Sequence, residues 1–365
     1  MKVEMLIYAY LAVCAAMIVF NIACIFVFRH KDKKLDDRSS AFTDKVRKQT
    51  ATDEITEAHR KYLCKKLRHV NHLMAFDKTL EALYIEDPQK IKAYVEKLSA
   101  VFIYLTFVYR KKNKLQMAYF PYIIKKYQLF RGYNISIVTD VMLDLVREPA
   151  LYCRENALQA LYSIGDADSV IEALCILDVG AYYHHPKMIT DGLLSFCGDR
   201  EKLADKLWDK LPTFSERMQV SVLDYFRFCS GEYCEPILRL LASGDLGDEA
   251  TYSCIRYFGK YAYEPALPQL LRFAEITDEN RWEYTAITAT ALAIYPCRET
   301  EAILRSMLHS RNWYVRFNAS QSLERQGLEY TDLVDIFEGD DRYAGEIMRY
   351  RFDQKKMREK EAAFL

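Results

Sequence analysis

Glycine and proline are scarce, with 12 and 9 in 365 residues. Strand-rich folds with many tight turns, and α/β folds with glycine-rich phosphate loops, draw on more of both. The expectation is an all-α chain. Net charge is missing as well: 51 basic and 51 acidic residues give a formal sum of zero. A chain that coats duplex nucleic acid carries a basic excess, and a disordered acidic chain lacks the 51% hydrophobic content present here. No P-loop, G-x-S-x-G, H-E-x-x-H or paired C-x-x-C motif occurs. Accordingly no catalytic residue, cofactor, metal or small-molecule substrate is expected. What the chain has in quantity is 27 Tyr and 19 Phe, which can fill a large core. The length admits two domains or one elongated array.

From Met5 to Phe28 there is no charged residue. A helix needs roughly 20 residues to cross the hydrocarbon core of a bilayer, so residues 5–28 read as a transmembrane helix behind a short extracytoplasmic tail, residues 1–4. A cleaved signal peptide and a buried soluble helix are the alternatives. Signal peptides have a shorter apolar region ending in a small-residue cleavage site, and none is evident before the charges that follow Phe28. Lys2 stands before the span, whereas Arg29, Lys31, Lys33, Lys34 and Arg38 follow it. The positive-inside rule then places the N-terminus outside and the bulk of the chain in the cytoplasm, single-pass in the cell membrane. Ten cysteines, most within apolar helical stretches, suit a reducing compartment. The N-x-S sequons at Asn134 and Asn318 would matter only after export through a glycosylating compartment.

From about residue 146 a pattern recurs: an apolar helix with small residues near its middle, a turn, then a shorter amphipathic helix. Gly165, Gly198, Gly231, Gly259 and Gly327 mark five turns, and Pro296-Cys297 takes that place in a sixth. The spacing is near 33 residues. Arg154, Arg217 and Arg316 each stand three before Ala157, Val220 and Ala319 in the first helix of their units. No single unit can close a core, so stacking is obligatory. Val315-Arg316-Phe317-Asn318-Ala319 with Leu323 and Gly327 resembles the HEAT repeat, most nearly the short form of bilin-lyase-like HEAT proteins. The resemblance covers about residues 114–340. It implies a right-handed α-solenoid of helix pairs, with Arg154, Arg217 and Arg316 as a structural ladder between repeats. Domain boundaries follow: a basic juxtamembrane linker with helical spacer or cap at 29–98, repeats at 99–345, and a solvent-exposed capping helix at 346–365. In the spacer, Leu73, Met74, Leu80, Leu83 and Tyr84 form an apolar stripe, and Asp87-Pro88 starts a new helix.

The zero charge is unevenly spread. Between Lys97 and Thr139 there is no acidic residue, but there are Lys97, Arg110, Lys111, Lys112, Lys114, Lys125, Lys126 and Arg131, interleaved with ten Tyr and Phe. The rest of the chain therefore sums to minus eight. Three readings stand: a solvated face over a repeat core, contact with an anionic membrane or a partner protein, and a nucleic-acid groove. On the membrane reading the apolar run Ala100–Tyr109, too short to span, could lie on the surface or under it; on the first reading its aromatics are repeat core. An acidic counterpart occupies Glu329–Glu346.

Candidate chemistry is thin. His69-x-x-His72 lacks further metal ligands. Cys229, Cys234 and Cys254 are read as structural thiols. Tyr182, Tyr183, His184 and His185 form an inter-repeat loop suited to partner contact. Asp166 and Asp168 open a second helix, where negative charge favours the N-terminal dipole. The resemblance implies a non-enzymatic scaffold or adaptor that binds a membrane-associated protein at the cytoplasmic face, with assistance to a membrane glycosyltransferase in envelope or exopolysaccharide synthesis as the pathway. Alternatives from the same family are an enzyme, a lyase or metal-dependent protein modifier, and a nucleic-acid binder.

Overall fold

The computed structural model describes residues 2–363 apart from Asp53 and Asn134, so the first sequon lies outside the described residues. All regular structure among them is helical. The chain divides into two compact units, one of residues 1–182 with 196–200 and one of residues 183–195 with 201–365.

The first unit contains α1 (Lys2–Thr50), α2 (Glu57–Leu67), α3 (Val70–Glu86), α4 (Pro88–Glu96), α5 (Ser99–Tyr109), α6 (Lys114–Lys126), α7 (Ser136–Val146), α8 (Leu151–Ile164) and α9 (Ala167–Val179). The apolar segment and the expected linker are not separate elements. α1 runs through both without a break, since no Pro or Gly occurs in it. Its apolar part is long enough to cross a membrane and none of that window is buried inside the fold. The window is therefore no core helix of the described fold, and a signal sequence near the N-terminus also meets this test of length and hydropathy. Further along, α1 joins the core: Phe42 and Val46 are fully buried, Lys78 Nζ donates to Asp36 Oδ1 (2.6 Å), and Arg47 pairs with Glu86 (2.8 Å).

Two expectations for this unit need correction. In α3, Leu73, Leu80 and Leu83 are buried with Phe76, whereas Met74 and Tyr84 are exposed. The buried set repeats at three and four residues, and Met74 and Tyr84 fall one position outside it. The Ala100–Tyr109 run is no surface-seeking segment. α5 buries Val101, Phe102, Leu105 and Tyr109, and exposes Tyr104 and Phe107. Asp87 caps α4 by accepting from Lys90 N (3.0 Å), as Pro88 at the first turn suggested. Asp166 does the same for α9 through Ser169 N (3.0 Å). Of the turn glycines, Gly165 (φ +84°) sits so close to Gly198 that a Cβ on Gly198 would stand 2.0 Å from the Gly165 carbonyl oxygen. That approach admits no side chain.

The second unit contains α10 (Pro186–Leu194), α11 (Arg200–Lys210), α12 (Glu216–Cys229), α13 (Cys234–Ser243), α14 (Asp248–Phe258), α15 (Leu267–Ala274), α16 (Trp282–Ala291), α17 (Arg298–Met307), α18 (Trp313–Arg325), α19 (Val334–Glu338) and α20 (Arg342–Ala363). Alternate helices stack: α10 on α12, α12 on α14, α14 on α16, α16 on α18 and α18 on α20. The helices between them, α13, α15 and α17, pack against their successors. Ala250, Ser253, Cys254, Ala286 and Ala289 are buried in the stacked helices, where small side chains let backbones approach.

Tyrosine hydroxyls tie successive turns together. Tyr257 Oη donates to Ser230 O (2.9 Å) and accepts from Tyr233 N (3.1 Å). Tyr295 Oη donates to Phe258 O and accepts from Tyr263 N, both at 3.1 Å. Each ring fills core space while its hydroxyl satisfies both a donor and an acceptor of the preceding turn. This accounts for part of the unusual tyrosine content. The C-terminal helix starts at Arg342, earlier than the expected 346. Its Arg351 lies buried against Glu324 (2.5 Å), which also accepts from Arg358 (2.7 Å).

Candidate interaction surfaces

The basic segment is partly neutralised inside the first unit. Arg110 pairs with Asp144 (2.5 Å) and Lys114 with Glu148. Lys126 Nζ donates to Asp77 Oδ1 (2.7 Å) and Glu81 Oε1 (2.6 Å), with its side chain only 19% exposed. Asp77 also accepts from Tyr119 Oη (2.8 Å) and Tyr127 Oη (2.6 Å). Burial disfavours the Lys126 charge, but the bonds to Asp77 and Glu81 outweigh it, and its pKa is raised. Arg131 donates to Gln128 Oε1 (3.1 Å) and to Cys197 O (3.5 Å). Lys111, Lys112 and Lys125 enter no ion pair among the described residues. The acidic counterpart is partnered too: Asp335 by Arg305 (2.9 Å), Asp341 by His309 (2.8 Å) and Glu346 by Arg342 (2.7 Å). Sequence order conceals these pairs, whose partners lie about 30 to 50 residues apart, with the exception of Arg342 and Glu346, four apart on α20.

Two of the repeat arginines, Arg154 and Arg316, share a local geometry. Arg154 Nη1 donates to Glu148 O (2.9 Å) and Pro149 O (2.6 Å), and its guanidinium lies 4.4 Å from the Tyr182 ring centroid. Arg316 Nη1 donates to Ser310 O (2.6 Å) and Arg311 O (3.0 Å), and lies 5.4 Å from the Tyr343 ring. Each arginine bonds to the carbonyls five and six residues earlier and stacks on a tyrosine 27 or 28 residues later. The asparagine two positions on is used equally: Asn156 Nδ2 donates to Ala118 O and Asn318 Nδ2 to Ala286 O, both at 2.8 Å. The amide of the second sequon is thus engaged between α16 and α18. Arg217 lies 5.6 Å from the Tyr183 ring. Tyr182 and Tyr183 are exposed, His184 is buried, and His185 caps α10, its Nδ1 accepting from Lys187 N (3.1 Å).

Nucleophile and metal candidates are dispersed. His69 and His72 rings lie 6.4 Å apart, and burial followed by Arg38, Lys66 and His69 lowers the His72 pKa. No three His, Cys, Asp or Glu side chains are grouped to hold a metal among the described residues. Cys254 is buried, which pushes its thiol pKa up. Cys234 is half-buried and donates to Gly231 O (3.1 Å). Cys229 is exposed, contrary to its reading as a buried structural thiol, and so is Cys297 at its turn.

A surface that the sequence reading missed lies on the second unit. α18 and α20 form an open groove of about 490 Å³ lined by Trp313, Arg316, Phe317, Tyr343, Ile347 and Tyr350, with Glu346 at its edge. Trp313 is 51% exposed, Tyr343 67% and Tyr350 52%. Trp313 stacks on Phe317 (centroids 4.8 Å, 18°), and Trp282 on Tyr314 (5.2 Å, 20°). The buried Nε of Arg316 has no hydrogen-bond partner. The available signal was Tyr343 and Tyr350, seven residues apart and so on one helix face.

No family model matches the chain, and no curated protein matches it. Among solved structures, the crystal structure of an engineered protein is similar at 13% identity and a TM-score of 0.36, covering 89% of this chain and 99% of that one. A likeness at that level carries no argument about fold or function.

Proposed function

We propose that the chain is a non-enzymatic scaffold, anchored in the cell membrane by α1 with its N-terminus outside, whose cytoplasmic helix pairs stack as a right-handed HEAT-like solenoid and bind a membrane-associated protein partner. The groove between α18 and α20 carries this reading. Exposed Trp and Tyr around an Arg is the composition of binding hot spots, and stacking already limits the motion of Trp313. The repeated Arg–carbonyl–Tyr and Asn–carbonyl contacts in both units support equivalent repeats. The continuity of α1 supports a stiff connection between span and domain, and the cations from Arg29 to Arg38 support the orientation.

The test is capture of partners by the full chain from detergent-solubilised membranes. A protein retained by the wild type is expected to fall about tenfold or more with W313A/Y343A, since each hot-spot truncation costs roughly 2 kcal/mol or more. Equal recovery by a folded double variant, or no protein above background with the wild type, overturns the proposal.

A further inference from the structure

The first unit has a cavity of about 410 Å³ where α4, the start of α5 and the turn after α6 meet. Val95, Leu129 and Phe130 are its buried apolar walls, and Ile103 extends them. Lys92 and Arg131 stand at the lining with Glu96, one net positive charge. Neither cation is in an ion pair among the described residues, and Arg131 is held in place through Gln128 Oε1 (3.1 Å). Ser99, which opens α5, lines the same space.

The wall formed by the turn is backbone-strained. Leu129 N bonds to Ile124 O (2.9 Å) across the end of α6, which puts Gln128 in the left-handed conformation (φ 48°). Phe130 is left-handed as well (φ 66°), and no helix-ending bond demands it. A bulky residue takes that conformation only where its surroundings force it, and such residues concentrate at ligand clamps. Here the conformation brings the Phe130 ring to the cavity, and Gly132 N holds the turn by donating to Ile164 O (3.1 Å).

A chamber in the ordinary size range of ligand sites, apolar along Val95, Leu129 and Phe130 and lined by two cations against the single carboxylate of Glu96, suits one class of molecule. We propose that this cavity binds a small amphiphilic carboxylate, its apolar body against Val95, Ile103 and Phe130 and its carboxylate at Arg131 and Lys92. The site is separate from the groove between α18 and α20 and does not depend on it.

Titration calorimetry of the full chain in lipid nanodiscs, with decanoate as probe and empty nanodiscs as reference, tests this. Saturable decanoate binding above the lipid background is expected. R131Q should weaken it about tenfold or more, the loss expected for a charge-assisted hydrogen bond, while binding of 1-decanol changes little. I103W, which fills the chamber, should abolish both. R131Q acts at an exposed side chain and keeps the test decisive should I103W fail to fold. No saturable binding by the wild type, equal decanoate affinity in R131Q, or retained binding in a folded I103W overturns the proposal.

Discussion

His59 shows how burial sets the chemistry of a single side chain. It lies against Tyr94, with Nε2 to Oη 2.7 Å, and is almost wholly covered. Burial first, and the charge of Lys45 second, lower its pKa to about 4. The folded state therefore keeps His59 neutral while the unfolded chain protonates near pH 6.5. The stability it confers is intact above pH 6.5 and declines as pH falls from 6.5 toward 4, by a total on the order of 3 kcal/mol. Thermal melts between pH 7 and 4.5 should show the wild-type midpoint falling more steeply than that of H59Q; parallel curves would refute the assignment. Arg154 and Arg316 carry a different lesson. Spacing from the following small residue marked them as equivalent, and they are, yet the partners that make them so are backbone carbonyls and a distant tyrosine. A pattern of side-chain types holds no record of which carbonyl lies within reach.

At the scale of elements, α1 does two physically separate things. Its apolar window is unburied, and among the described residues the side-chain hydrogen bonds to the rest of the unit begin at Asp36, eight residues or roughly 12 Å beyond Phe28. A fragment of residues 29–365 should accordingly be soluble without detergent and melt within about 2 °C of the full chain, because none of the apolar window it lacks is buried in the fold. Starting the fragment at residue 48 removes Phe42 and Val46 from the core and should destabilise by about 3 kcal/mol or more. Circular dichroism melts of both fragments check this, and equal midpoints would show that α1 is dispensable to the unit. Helix starts were readable because capping is local: Asp87, Pro88 and Asp166 sit within a few residues of the amides they serve. The fate of α5 was not. Its ten-residue apolar run suits a core or an interface equally, and only packing against its neighbours decides between them.

For the whole molecule, the proposed membrane orientation makes a prediction that uses residues already present. Cys229 and Cys297 are exposed thiols in the second unit. A membrane-impermeant maleimide added to intact cells should leave both unmodified, and lysis should expose them to labelling. Mass spectrometry of the peptides reports the outcome, and modification of both before lysis would reverse the topology. The neutral total charge has a similar whole-chain meaning. Arg110, Lys114 and Lys126 of the basic segment are drawn into pairs with acids elsewhere in the first unit, whereas Lys111, Lys112, Lys125 and Arg131 enter no ion pair among the described residues.

By itself the sequence determined the all-α class, the apolar helix at the front, the capped starts of α4 and α9 and the recurrence of turns, since each depends on composition or on residues within one or two helical turns. Only the tertiary structure decided which cations are neutralised, which tyrosines staple neighbouring turns, where α18 and α20 leave an aromatic groove, and that Phe130 walls a cavity. Those features join side chains tens of residues apart in sequence. Their energies depend on distance, burial and backbone angle, quantities that exist only once the helices have packed.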